Sequence, residues 1–119
     1  FAVCSSLTSV IIPDSVISIG FEAFCLCYKL TSVTIGNSVT EIGEWAFGEC
    51  TSLTSVYCKP TTPPSLGEDA FKRYGYGYDG SLIFVNIGCT IYVPTASVEA
   101  YKEAAYWSDY ASDIVGYEF

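Results

Sequence analysis

The groups able to do chemistry in this chain are thiols, carboxylates and phenols: six cysteines, thirteen Asp and Glu residues and ten tyrosines, with no histidine. Without imidazole there is no Ser-His-Asp or Cys-His nucleophile, no histidine general base and no ordinary zinc or copper site. Carboxylate chemistry remains. A glycosidase needs two carboxyl groups roughly 5–9.5 Å apart across a cleft, and the only local clusters are Glu41 with Glu44 and Glu68 with Asp69 and Asp79. These read as a solvated acidic face. The spacing Asp-x-Asp-x-Asp-Gly of a calcium loop is absent, and Tyr78-Asp-Gly80 offers a single good ligand. The cysteines form no Cys-x-x-Cys pair. The expectation is a chain with no catalytic residue, no metal and no cofactor. Its phenols are then tools of recognition, and the candidates are Tyr57 and Tyr92 with Thr34, and the cluster Tyr74, Tyr76 and Tyr78.

Charge narrows the partners. The only basic residues are Lys29, Lys59, Lys72, Arg73 and Lys102, and the formal net charge is −8. Nucleic acid is disfavoured because phosphate binding needs a basic stripe that releases counterions. An anionic membrane is disfavoured for the same reason, and no apolar run approaches the roughly 18 residues of a membrane span.

The elements that must position these residues follow from an internal repeat. Phe1, Phe24 and Phe47 are 23 residues apart, as are Cys4, Cys27 and Cys50, Leu7, Leu30 and Leu53, and Val10, Val33 and Val56. Ile12, Ile35 and Cys58 continue the series, with Val16 and Val39, Ile19 and Ile42, Gly20 and Gly43, and Ala23 and Ala46. A fourth unit is stretched. Phe71 lies 24 residues past Phe47, the Pro-rich run Lys59-Pro-Thr-Thr-Pro-Pro-Ser-Leu-Gly replaces the usual sequence, and eleven extra residues precede Ile91. The repeat ends at Pro94.

In Leu30-Thr-Ser-Val-Thr-Ile35 the apolar Val33 and Ile35 alternate with small polar residues, the pattern of a half-buried strand. One unit cannot bury its apolar face alone, so equivalent strands must stack in parallel, about 4.7–4.9 Å apart, around a shared core. Each unit is expected to supply one strand. Gly20 and Gly43 are expected at tight corners, and Phe24 and Phe47 behind the sheet.

The repeat Cys-x-x-Leu-Thr-Ser-Val-x-Ile-Pro/Gly-x-Ser-Val-x-x-Ile-Gly-x-x-Ala-Phe resembles the BspA-like, or treponemal-type, leucine-rich repeat over residues 1–94. The tail, with Cys89-Thr-Ile-Tyr-Val-Pro94, Ser97-Val-Glu-Ala-Tyr-Lys102 and Trp107-Ser-Asp-Tyr110, is similar to the closing segment of such proteins in host-associated bacteria. The resemblance implies an α/β leucine-rich repeat solenoid, β-rich, with turns or short helices on its convex side. It also implies an exported or cell-surface, non-catalytic protein used for binding, adhesion or host interaction. A structural spacer presenting another domain is the alternative. The Pro-rich fourth unit and the Tyr/Gly insertion near 73–88 depart from the pattern.

Within that frame Cys4, Cys27 and Cys50 occupy the column where such repeats place Asn or Cys to bond the neighbouring turn, and are expected as a ladder of buried thiols. Cys58 replaces Ile12 and Ile35 as a small core residue. For Cys25 and Cys89 a bridge is open. Residues 95–119 read as a helical cap, N-capped by Thr95 or Ser97, with Val98, Tyr101 and Ala105 on its inner face and Trp107, Tyr110 and Ile114 packing back. The opposite end opens in mid-repeat, which points to further upstream repeats or to self-association through an uncapped first rung.

Outward strand positions form rows on the concave face: Ile11, Thr34, Tyr57 and Tyr92 beside Ser9, Ser32, Ser55 and Thr90. Hydroxyls with tyrosines at one end can offer hydrogen bonds and aromatic contact to a protein or glycan, although Ser and Thr are also ordinary solvent-facing strand residues. Tyr74, Tyr76 and Tyr78, spaced by Gly75 and Gly77, have the composition of an adaptable binding loop. They equally suit packing, or a hairpin with Leu82 to Val85. Trp45 stands in one column with Glu22 and Asp69, on the convex side.

Overall fold

Each repeat lays down two strands, not one. The computed structural model describes residues 6–119; Phe1 and Cys4, the first members of two columns, lie outside them. The long strands are β1 (Ser9–Ile12), β3 (Ser32–Ile35), β5 (Ser55–Cys58) and β9 (Thr90–Pro94), and the short ones β2 (Ser18–Ile19), β4 (Glu41–Ile42) and β6 (Ser65–Leu66). The long strands pair in parallel in the order β1, β3, β5, β9, and the short ones in the order β2, β4, β6. The register follows the repeat, with Val10, Val33, Val56 and Ile91 side by side.

A third ladder runs through the turns on the far side. The amides of Glu22, Phe24 and Leu26 donate to the carbonyls of Glu44, Ala46 and Gly48, and Trp45, Phe47 and Glu49 repeat this toward Glu68, Ala70 and Lys72. The first three rungs are thus hydrogen-bonded to one another on three sides, which satisfies backbone groups that a helix would otherwise satisfy internally. Among the described residues the repeats contain turns and no helix.

At the corners the left-handed conformations fall not on Gly20, Gly43 and Gly67 but two residues past each, on Glu22, Trp45 and Asp69, at φ of 55°, 57° and 59°. Glycine is needed at 43 and 67 because successive rungs touch there. A Cβ on Gly43 would stand 2.6 Å from the Phe21 nitrogen, and one on Gly67 2.2 Å from the Glu44 nitrogen.

Between the ladders lies the core. Leu30, Val33, Ile35, Phe47, Val56, Cys58, Phe71, Ile91 and Val93 are fully buried. Phe24, Phe47 and Phe71 stack face to face with centroids 5.3 Å apart and planes within 4°. Phe24, the first described ring of this stack, is half-buried.

The insertion forms an antiparallel hairpin of β7 (Lys72–Tyr76) and β8 (Leu82–Asn86). Its turn is closed by Gly77 donating to Ser81 and by Asp79, whose carboxylate accepts the Ser81 amide at 3.0 Å. Hydrogen bonds from the Ser81 hydroxyl and then from its amide hold the Asp79 carboxyl below its ordinary pKa, so the one calcium-type ligand of the sequence serves the turn.

The terminal segment is only partly helical. A helix α1 (Val98–Glu103) is followed by a 3-10 stretch, Trp107–Asp113, and then by β10 (Ile114–Tyr117), which pairs in parallel with β9 and extends the main sheet. The inner face holds Tyr101, with Trp107 and Tyr110 from the 3-10 stretch, all buried. Ala105 falls beyond the helix end and is exposed. Ser97 precedes the helix, but its hydroxyl donates to the Thr61 carbonyl at 2.7 Å instead of capping, and the Thr95 hydroxyl turns to Glu118.

The Pro-rich run explains these choices. Pro60, Pro63 and Pro64 have no N–H, so this stretch cannot ladder as its counterparts do. Its carbonyls instead accept hydrogen bonds from the tail: Pro60 from the Tyr101 hydroxyl, Thr61 from Ser97, and Pro64 from the Trp107 Nε1–H at 2.8 Å. Tyr110 accepts the Phe71 amide at 3.1 Å.

Candidate functional site

Alternation along β1, β3, β5 and β9 points Ser9 and Ile11, Ser32 and Thr34, Ser55 and Tyr57, and Thr90 and Tyr92 outward. None is charged, in a chain of net charge −8. The acidic residues of the repeats lie on the turns and short strands instead, as with Glu22, Glu41, Glu44 and Glu68.

The structure brings Thr34, Tyr57 and Tyr92 together in one row. In-register neighbours on parallel strands hold their rings about one strand spacing apart, and Tyr57 and Tyr92 stack with centroids 4.8 Å apart and planes 10° from parallel. Tyr117, from β10, stands edge-on to both at 5.5 Å, and Phe119 packs against Tyr117 at 4.9 Å. A groove of about 390 Å³ runs along this cluster, lined by Thr34, Tyr57, Lys59, Tyr117 and Phe119. It adjoins a second groove of about 730 Å³ that shares Lys59, Tyr117 and Phe119 and reaches Asn37 and Thr95.

Tyr117, Phe119 and Lys59 were not among the candidates drawn from the sequence. Tyr117 and Phe119 follow the repeat, so no column marks them; the available signal was the strand-like Ile114-Val-Gly-Tyr117.

The tyrosines of the insertion divide. Tyr74 packs at 5.8 Å from Trp45 and 5.1 Å from Phe84, which itself meets Trp45 edge-on at 5.0 Å, and its amide donates to the Glu49 carboxylate. This ring joins hairpin to repeats, and Trp45 is half-buried under it. Tyr76 and Tyr78 are exposed near the hairpin turn, away from the row of Tyr57 and Tyr92.

The thiols are enclosed. Cys50 Sγ donates to the Phe24 carbonyl of the preceding rung at 3.1 Å, as the column reading expected, and Cys58 Sγ lies 3.5 Å from the Tyr101 hydroxyl. Cys25 and Cys89, for which a bridge was open, are buried free thiols. Burial pushes Cys50, Cys58 and Cys89 up to about 12, which keeps them protonated and poorly nucleophilic. An acid whose pKa is raised by folding stabilises the fold below its unfolded value, near 8.5, and loses that contribution as pH rises toward the folded value. Thermal melts are therefore expected to vary little between about pH 6 and 8, where no side chain of ordinary pKa titrates, and to fall steadily above about pH 9.

Among the described residues no cluster of three metal-ligating side chains occurs, and no helix is long and apolar enough to cross a membrane. No curated protein matches the chain. The family model for the BspA type leucine rich repeat region (6 copies) matches residues 1–77. That span holds the phenylalanine stack and three of the four stacked long strands; by sequence and by its β-rich architecture of parallel strands, the chain belongs to the BspA type leucine rich repeat family.

Proposed function

We propose that this chain is a non-catalytic binding module of a bacterial exported or cell-surface protein, used in adhesion or host interaction. Residues 1–94 form its repeat solenoid and residues 95–119 a cap that finishes it. The ligand is a protein or glycan held on the outward face of the main sheet. The observation that carries this reading is the uncharged row Thr34, Tyr57 and Tyr92, extended by Tyr117 and Phe119 into an aromatic-walled groove. Stacked and edge-on aromatic rings offer large contact area at low conformational cost, and the acidic charge elsewhere keeps the chain soluble and repels nonspecific anionic partners. Tyr76 and Tyr78 form a second, smaller contact at the hairpin turn. Tyr74 belongs to the scaffold.

Surface plasmon resonance of the immobilised chain against panels of extracellular proteins and glycans tests the reading. Saturable binding that is lost in Tyr57→Ser/Tyr92→Ser, and less affected in Tyr76→Ser/Tyr78→Ser, is the expected result. A spacer would give no saturable binder from either panel. A binder indifferent to all four substitutions would move the site elsewhere.

A further inference from the structure

The row Ile11, Thr34, Tyr57, Tyr92 places one small side chain between two larger ones. Adjacent strands are about 4.8 Å apart, so the strands carrying Ile11 and Tyr57 stand roughly 9.5 Å apart with only Thr34 between them. That is room for one ring lying against Tyr57. One face of the Tyr57 ring is covered by Tyr92, and the groove opens on the Thr34 side, with Tyr117 and Phe119 along its wall.

We infer that this groove takes a neutral sugar ring, seated over Thr34 with its C–H face against Tyr57, continuing the Tyr92 and Tyr57 stack by one member. The inference rests on the binding role proposed above and names its ligand class.

One observation favours a sugar over the aromatic side chain of a protein partner, and two more fit a neutral pyranose. First, the Thr34 hydroxyl in the groove and the serine hydroxyls of the neighbouring row are unspent. Thr31 and Thr54, at the strand starts, donate to the carbonyls of Thr8 and Thr31 in the preceding rung, whereas Ser32, Thr34 and Ser55 make no side-chain hydrogen bond among the described residues. An aromatic side chain over Thr34 would bury its hydroxyl without a partner, at a desolvation cost, while the hydroxyls at a sugar's edge replace the lost water and can reach the neighbouring serines. Second, the ring faces are phenolic and apolar, suited to the C–H face of a pyranose, whose edge is polar. Third, the groove has no net positive charge to attract an acidic sugar. Its one cation, Lys59, lies 3.5 Å from the Asp14 carboxylate, and Glu118 lines the adjoining groove.

The test is isothermal titration of the full chain with neutral hexasaccharides of glucose, mannose and N-acetylglucosamine, beside a library of Trp- and Tyr-containing peptides. The key variant is Thr34→Tyr. Tyrosine is at home on a strand and in register with Tyr57, so the introduced ring fills the slot while the chain still folds, which an unchanged melting temperature would verify. Tyr57→Ala is the second variant. One hexasaccharide is expected to bind the native chain and to lose about tenfold or more in affinity in both variants, the scale of one lost ring contact. Saccharide binding unchanged in Thr34→Tyr overturns the slot and leaves the binding module intact. Peptide binding that Thr34→Tyr abolishes, without any saccharide binding, overturns the sugar but keeps the face. No binding of either class by the well-folded chain overturns the slot and counts against the face itself.

Discussion

Trp107→Ala is expected to lower the unfolding free energy by about 4 kcal/mol, the upper range for emptying a buried aromatic site. Trp107 is fully buried, stands edge-on to Tyr101 at 5.0 Å and packs beside Phe71, and donates Nε1–H to the Pro64 carbonyl. Alanine leaves a cavity and strips a buried carbonyl of its donor. Trp107→Phe separates the two effects, since it fills most of the space and removes the donor alone, at about 1–3 kcal/mol. Urea denaturation followed by circular dichroism measures both. A loss under about 1 kcal/mol for the alanine variant would mean that the terminal segment is not docked on the Pro-rich run as described.

Phe47→Ala carries an effect of similar size, about 3–5 kcal/mol, for a different reason. Its ring is the middle of three, stacked on Phe24 on one side and Phe71 on the other, and its removal uncouples two rungs at once. Phe24 is the first ring of the stack among the described residues and is half-buried, with Phe47 as its one ring contact there. Phe24→Ala should therefore cost roughly half as much. In a structure where each rung leans on its neighbours, destabilisation depends on position in the array. Equal losses at 24 and 47 would argue against the stack.

The repeat made much of this architecture legible. Columns of Val10, Val33 and Val56 and of Ile12, Ile35 and Cys58 carry both the strand period and the register, because a side chain with one buried face tolerates no slip. The second strand of each unit escaped, since Ser18–Ile19 and Glu41–Ile42 are too short to show alternation. The left-handed corners escaped too: they fall on Glu22, Trp45 and Asp69, while of the nearby glycines, the residues a reader would choose, Gly43 and Gly67 are present for close approach instead. Neither the Pro-rich run nor the tail has a local pattern that reveals their fit. Pro64 and Trp107 are 43 residues apart, and the sense of one lies in the other.

For the candidate site the strand period was enough to align Thr34, Tyr57 and Tyr92. It could not supply Tyr117 and Phe119, which enter from β10 after the repeat has ended. Tyr74, Tyr76 and Tyr78 looked equivalent in sequence because each follows the last by two residues. The hairpin meets the body through Trp45 near its base, so Tyr74 packs against Trp45 and Phe84 on one side while 47% exposed, and Tyr76 and Tyr78 stand further out in water.

The proposed site requires rungs stacked in register, with the tyrosines of β5 and β9 side by side on the open face. Nuclear Overhauser spectroscopy on the labelled chain addresses this directly. Contacts are expected between the rings of Tyr57 and Tyr92 and from each to Tyr117, with inter-strand contacts linking Val33 to Val56 and Val56 to Ile91. Antiparallel or shifted pairing of these strands, or the absence of any contact between the Tyr57 and Tyr92 rings, would contradict it.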